Sequence, residues 1–378
     1  MTTTKPSQMP SPLQGVRVVD LSRLLPGPFA TQLMVDLGAE VIKVEDPKGG
    51  DYLRYFLPLA KDGTSVLFHA INRGKKSCAL NLKLDEDRNA FLTLIEEVDV
   101  VVESFRPGVM AKLGLGADVL LERNPRLVVC SISGYGQTGA HAMRAGHDLN
   151  YVARAGVLGM TSTKSNPSAQ IADYAGGAWP AVTQILAALI GRGVKGAGCH
   201  IDVDMTAGAR SLLTLPLASA WYQDKELLPD DNVLAGAVPC YGIYETRDGQ
   251  LSVGALETHF WQRFVAVLYE NDDAADPDLA QKGLCRNEEG AAVRQEVQRI
   301  LSTRTTDEWM QDFAKTDACV EPVYSPTDEE THDIPVAKVE LEGETLKLPM
   351  APLSIGNAVQ ALGPALGEHN KMLFKNRE

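Results

Sequence analysis

Short β-branched runs separated by helical stretches fill the first half of the chain, and this alternation most narrows how it can fold. VRVVDLS (16–22), VIKVE (41–45), CALNL (78–82), VDVVVES (98–104) and RLVVCSIS (126–133) read as buried strands, and CHIDVDM (199–205) is strand-like. Between them, PGPFATQLMVDLGA opens on prolines and closes on Gly38, while EDRNAFLTLIEE carries a helical pattern. Strand, helix, strand at this spacing predicts an α/β fold: a Rossmann-like, doubly wound parallel sheet in a large domain over 13–205. The first strand-to-helix turn, SRLLPGPFA, has neither GxGxxG nor GxxxxGK[ST], so nicotinamide and P-loop chemistry lose their main sequence support.

Beyond Tyr174 the stretches AGGAWPAVTQILAALIGRGV and TAGARSLLTLPLASAWYQ read as helices, and a linker is expected over 206–237. YGIYETRDGQLSVGAL then reads as two strands turning at Arg247-Asp248-Gly249, which begins a smaller α+β domain over 238–325. Residues 326–378, with the extended LKLPMAPL (346–353), are expected to return to the large domain, and residues 1–12 form a loose Thr/Ser/Pro tail.

Hydrophobic residues make up 44% and charged residues 22%, as in globular proteins with a sizeable core. A net charge of −13 argues against nucleic acid as a partner, although a local cluster of cations can still hold a small anion. The six cysteines form no CxxC pair or Cys/His cluster, so no metal site is expected, and scattered single cysteines fit a reducing compartment. No apolar run reaches membrane-spanning length, and MTTTKPSQMPSPLQ lacks a signal-peptide core, so the expectation is a cytoplasmic protein with no membrane partner.

Five places carry chemistry-bearing side chains. GHDLNY (146–151) sets His147 and Asp148 at the mouth of a short helix, where free backbone N–H groups and the positive dipole end gather. Such donors can hold a developing oxyanion while a neighbouring base moves a proton; equally, Asp148 reads as an N-cap and His147 as packing. In QIADYAGG (170–177), Asp173 precedes a double glycine that allows close approach of a ligand or a backbone, or else it caps the following helix. VGALETHF (253–260) leaves Glu257 at a strand end, where a lone carboxylate is ordinarily solvated. ESFRPGV (103–109) puts Arg106 at the C-terminal edge of the sheet, fit for an anion or merely for the surface. NRGKKSCALNLK (72–83) gathers Arg73, Lys75, Lys76 and Lys83, either a phosphate site or a solvated face.

Taken in order, GVRVVDLSRLLPGPFATQLMVDLGAEVIKVEDP, NRGKKSCALNLK, ESFRPGVMAKLGLG, NPRLVVCSISGYGQTG, AGHDLNY, IADYAGG and TDACVEPV resemble the family III CoA-transferase (CaiB/BaiF) superfamily from about Leu13 to His369. Within it the chain looks like the α-methylacyl-CoA racemase branch, because it has both GHDxNY (146–151) and GAxE (254–257) and lacks a run of successive glycines in the second domain; Leu234-Ala235-Gly236-Ala237 comes nearest. The resemblance implies an acyl-CoA thioester substrate with no cofactor consumed, and an interlocked-ring homodimer. It also implies catalysis by His147, Asp173, Glu257 and Asp148. CoA would be held by Arg106, Lys75, Leu80, Asn81, Leu82, Lys83, Gly146, Leu149, Asn150 and Tyr151. In the implied racemisation of 2-methylacyl-CoA, His147 and Asp173 stand on opposite faces of the α-carbon and exchange its proton through an enolate. The Asp148 N–H would hold the enolate oxygen. Glu257, from the other subunit, would orient His147, and apolar neighbours would raise the Asp173 pKa. One alternative is acyl-CoA:carboxylate CoA-transfer with Asp173 as nucleophile, and a second is a catalytically idle CoA-binding relative. Asp46 stands where the racemases compared carry an arginine, which shifts phosphate binding onto Arg106, Lys75, Lys76 or Lys83, and a short 161–169 segment is expected to alter the acyl pocket.

Overall fold

The computed structural model describes residues 11–160, 166–229, 232–328, 335–351, 353 and 361–374. The expected tail, up to residue 10, and residues 161–165 of the short segment lie outside them. The chain divides into two units, one drawn from Met1–Val157, Asn166–Leu213 and Ile334–Glu378, the other from Leu158–Ser165 and Thr214–Asp333.

The first unit is built on a parallel six-stranded sheet in the order β3-β2-β1-β4-β5-β6. Its strands are β1 (Arg17–Asp20), β2 (Glu40–Glu45), β3 (Lys76–Ala79), β4 (Val100–Glu103), β5 (Val128–Ser133) and β6 (Cys199–Asp204). β1 sits between β2 and β4, with Val19 level with Ile42 on one side and Val101 on the other. The strand order reverses there, and such a switch point opens a crevice at the carboxyl ends of the strands. β3 stops before the expected Leu82 because Asn81 leaves the ladder: its Oδ1 accepts from Lys83 N–H at 3.2 Å and its own N–H donates to Asp87.

The helices of this unit are α1 (Pro26–Asp36), α2 (Val66–Asn72), α3 (Asp85–Ile95), α4 (Val109–Lys112), α5 (Ala117–Arg123), α6 (Asp148–Ala155), α7 (Trp179–Lys195) and α8 (Met205–Ser211). α1 is apolar on nearly all sides and correspondingly buried. One face of the sheet packs Val19, Ile42, Val101 and Val129 against Phe91, Leu94, Leu115 and Leu120; each such burial contributes about 1.5–3 kcal/mol.

At the carboxyl ends of β1 and β2 lies a buried charge cluster. Asp20 Oδ2 accepts from Thr31 Oγ1 at 2.7 Å and Lys75 Nζ at 3.1 Å, while Ser22 donates to Oδ1. Lys43 Nζ lies 3.0 Å from Asp51 and 3.8 Å from Asp20, and it donates to Ser22 O at 2.9 Å. Burial opposes ionisation of Asp20, but the charges of Lys43 and Lys75 outweigh it and hold the carboxyl well below the usual range. Burial also pushes Lys75 down to about 8. Lys75 is therefore a structural cation, contrary to the expected phosphate ligand: its Nζ is also taken by Pro28 O, Thr31 and Asn72. Its neighbours are committed likewise, Arg73 to Asp36 and Lys76 to Glu40.

The second unit begins with α9 (Thr214–Tyr222). The single helix expected across 206–223 is split, because Pro216 cannot donate within a helix interior and is accommodated in the first turn of a new one. β7 (Tyr241–Glu245), β8 (Gln250–Gly254) and β9 (Val320–Pro322) form an antiparallel sheet in that order. α10 (Thr258–Asn271), α11 (Asn287–Leu301) and α12 (Thr306–Phe313) complete a core in which Trp261, Phe264 and Phe313 stack at centroid spacings of 5.1 and 5.4 Å.

The chain then supplies the first unit with an antiparallel hairpin, β10 (Val336–Leu341) and β11 (Glu344–Pro349), and with α13 (Asn370–Leu373). Asn370 Oδ1 accepts from Ala79 N–H at 2.8 Å and its Nδ2 donates to Ala79 O at 3.2 Å, so one side chain pairs the outer edge of β3 as a strand would.

Lys75→Met should lower stability by about 3–5 kcal/mol by leaving Asp20 short of a buried partner. Urea denaturation monitored by circular dichroism checks this, and a loss within error of zero would remove the cluster from the account of stability.

Candidate active site

β5 ends on Ser133, and the chain loops through Gly134 and Gly146 to the start of α6. Tyr151 fixes this loop. Its hydroxyl donates to Gly146 O, and its ring occupies the space a side chain would need at either glycine: a Cβ at Gly134 would lie 2.2 Å from the ring and one at Gly146 2.6 Å. His147 holds an extended backbone (φ −125°, ψ 176°) as the residue before the helix, and Asn150 Oδ1 accepts its N–H at 3.0 Å. Asp148 is the first residue of α6, where N–H groups have no acceptor within the helix.

Asp173 lies in a π-helical turn, Ala172–Ala178, that runs straight into α7. It is not the N-cap that local sequence suggests. The wide turn crosses α8 at backbone contact: a Cβ on Gly176 would lie 2.4 Å from Met205 O, and one on Gly208 2.1 Å from Gly176 O. Asp173 N–H donates to Asp148 Oδ1 at 2.9 Å, tying this turn to the mouth of α6. Burial, with the Asp148 charge added, pushes the Asp173 carboxyl up to about 7. Burial also raises Tyr151 to about 12, reinforced by the Asp173 charge.

His147, Asp173, Asn150, Tyr151, Gly146 and Arg106 all line one cavity of about 480 Å³. It opens at the switch point, between the turn after β1 and the turn after β4. Two further arginines line it, Arg23 and Arg144, neither anticipated. Arg23 is held by Tyr52, with its guanidinium 5.3 Å from the ring centroid and 3.2 Å from the hydroxyl, and it lies 6.0 Å from the Phe105 centroid. Its place in the first strand-to-helix turn was the available signal, since ligands of doubly wound sheets sit there. Arg144 sits just ahead of the Gly146-His147 motif with no pattern to mark it.

The other expected residues fall elsewhere. Leu149 is on the exposed side of α6 and is not part of the cavity lining. Leu80 is buried in the sheet core and Leu82 packs against it, which corrects any direct side-chain contact of Leu80 with a ligand. Asn81 is occupied in the turn after β3, and Lys83 is exposed there. Asp46, where an arginine was expected, accepts from Lys48 N–H at 2.8 Å and shapes a turn. Glu257 belongs to the second unit, exposed just ahead of α10. Among the described residues no group of three or more His, Cys, Asp or Glu side chains could hold a metal, and no helix is long and apolar enough to cross a membrane.

The profile of CoA-transferase family III matches residues 13–370. The chain is 32% identical over 374 residues to human α-methylacyl-CoA racemase, covering 96% of this chain and 92% of that protein. It is also 32% identical over 328 residues to acetyl-CoA:oxalate CoA-transferase of Acetobacter aceti, covering 85% and 83%. A crystal structure of a Mycobacterium tuberculosis protein superposes with a TM-score of 0.80 at 29% identity, covering 98% of this chain and 100% of that one. The chain belongs to CoA-transferase family III, a family whose chemistry is done on CoA thioesters. Racemases and transferases stand among its relatives at similar identity, and the likeness to solved structures favours the transferase side, so the expected racemase branch is matched only at the level of the family.

The Asp173 carboxyl binds its proton more tightly folded than unfolded, so between pH 4 and 7 the folded state loses stability as pH rises, and the whole penalty is present above about 7. Asp173→Asn removes it. The variant should be more stable than the parent at pH 8 by on the order of 2–4 kcal/mol, with the difference shrinking toward zero near pH 4. Denaturation at the two pH values measures this, and equal shifts at both would show that the carboxyl is not destabilised by its site.

Proposed function

We propose that this protein is a racemase that interconverts the two configurations of a 2-methylacyl-CoA by moving the α-proton through an enolate. The carrying observation is that His147 and Asp173 line the same arginine-rimmed cavity, with Asp173 raised to about 7. A C–H beside a thioester carbonyl is a weak acid, so its removal needs a base in reach and a donor where the oxygen gains charge. The His147 imidazole at the cavity wall serves as one base. A carboxyl at about 7 is partly protonated at neutral pH, so Asp173 is able both to take a proton and to return one. In this proposal they work from opposite sides of the α-carbon, and the Asp148 N–H at the start of α6 receives the enolate oxygen. Arg23, Arg106 and Arg144 take the CoA phosphates, the role first sought in Lys75 and Lys83. The proposal includes a homodimer in which Glu257 of a second copy orients His147.

A second reading has an observation of its own. A Mycobacterium tuberculosis relative, 33% identical over 326 residues, is described as a probable fatty acyl-CoA transferase, in keeping with the structural likeness to a protein from that organism. In that chemistry an Asp173 carboxylate oxygen attacks the thioester carbonyl, the CoA thiolate leaves, and a mixed anhydride forms on the aspartate.

Incubating a single enantiomer of a 2-methylacyl-CoA with the enzyme in deuterated water separates the two. Racemisation gives α-deuterium with loss of optical purity, and His147→Ala and Asp173→Asn should each slow it by about 10³-fold or more. Absence of exchange with transfer of labelled CoA to a free carboxylic acid, undiminished in His147→Ala, would replace this reading with the second.

A further inference from the structure

The turn after β4 faces two cavities. Ser104, Phe105 and Arg106 line the one described above. Glu103, the last residue of the strand, lines a separate cavity of about 330 Å³ together with Ser131, Gln137 and His200. Glu103 is 4% exposed, and its Oε2 accepts from Phe105 N–H at 2.7 Å. Ser131, its register partner on β5, hydrogen-bonds the same carboxyl. Ser131 Oγ lies 2.9 Å from Nε2 of His200 on β6. A hydroxyl has one proton to give; with the carboxylate receiving it, the imidazole N–H donates to Ser131. Three adjacent strands thus line up His200, Ser131 and Glu103 behind the amide that precedes Arg106. On its other side the turn is tied to Arg23, whose N–H donates to Ser104 Oγ at 3.3 Å. A carboxylate is costly to bury and is retained where its hydrogen bonds hold something in place.

We propose that Glu103 is a positioning residue for thioester binding: its carboxylate, supported by Ser131 and His200, fixes the Phe105 amide and through it the direction in which Arg106 enters the first cavity. Glu103 touches no substrate. This rests on the reading in which Arg106 contacts CoA.

Calorimetric titration of the full chain with free CoA tests it without reference to which reaction is catalysed. Glu103→Ala and Arg106→Ala should each weaken CoA binding about tenfold, and the double variant should be no more than about threefold weaker than Arg106→Ala alone. Glu103→Gln keeps an oxygen facing Phe105 N–H and should hold Kd within about threefold of the parent. In turnover with acyl-CoA, Glu103→Ala should raise KM about tenfold with kcat within about threefold. Losses that multiply in the double variant, or a Glu103→Gln as weak as Glu103→Ala, overturn the positioning role. An Arg106→Ala that binds CoA normally overturns the Arg106 contact and this proposal together, whereas a weakened Arg106→Ala beside an unaffected Glu103→Ala overturns the proposal alone. If Glu103→Ala does not fold, Ser131→Ala takes its place: a roughly fivefold weakening that vanishes in the Arg106→Ala background supports the role, and the same weakening in both backgrounds overturns it.

Discussion

The buried meeting of Asp20 with Lys43 and Lys75 is the interaction on which most of the first unit depends. Asp20 ends β1, Lys43 lies within β2 and Lys75 stands just ahead of β3, and these charges are satisfied by one another and by nearby polar groups. The same groups take the backbone of the turn after β1: Ser22 N–H goes to Asp20, Ser22 O to Lys43, and Leu24 N–H to Asp51 at 3.1 Å. That turn contains Arg23. A side chain at the cavity is therefore carried on a turn whose backbone is held by a cluster of charges that do not line the cavity themselves.

The second organising contact is the crossing of the π-helical turn with α8. Glycines at 176 and 208 bring two backbones to a separation at which no side chain fits. The wide turn places Asp173 where its N–H reaches Asp148 while its carboxyl stays largely dry. Ionising that carboxyl is unfavourable to the folded state, and the same environment gives it a proton affinity matched to neutral solution. Stability is given up at this position.

Much of this architecture can be read from residue order alone. Buried parallel strands announce themselves as β-branched runs, and all six expected strands of the large sheet are present, with β3 shortened by the turn-forming habit of Asn81. The site is less legible, for identifiable reasons. A basic run such as Arg73 to Lys76 shows charge but not partner, and Asp36, Asp20 and Glu40, all distant in sequence, have claimed those cations. A π-helical turn has no compositional mark to distinguish it from the first turn of α7, so Asp173 reads locally as a cap. The placement of His147 at the head of α6 was visible because helix starts do have a mark; Arg144 had none.

The attachment of Asn370 to Ala79 bears on how this chain behaves when damaged. With its carboxamide in place, β3 offers no row of vacant donors and acceptors at that position. His369 closes the neighbouring stretch: its N–H donates to Ser77 O at 2.9 Å and its Nδ1 accepts from Ser77 N–H at 3.2 Å. A protein clipped ahead of this segment would keep its cavity residues and its charge cluster yet carry a raw sheet margin, and a raw margin recruits strands from other molecules. Loss of the last few turns of chain would then appear first as clumping at high concentration, and only later as loss of catalysis.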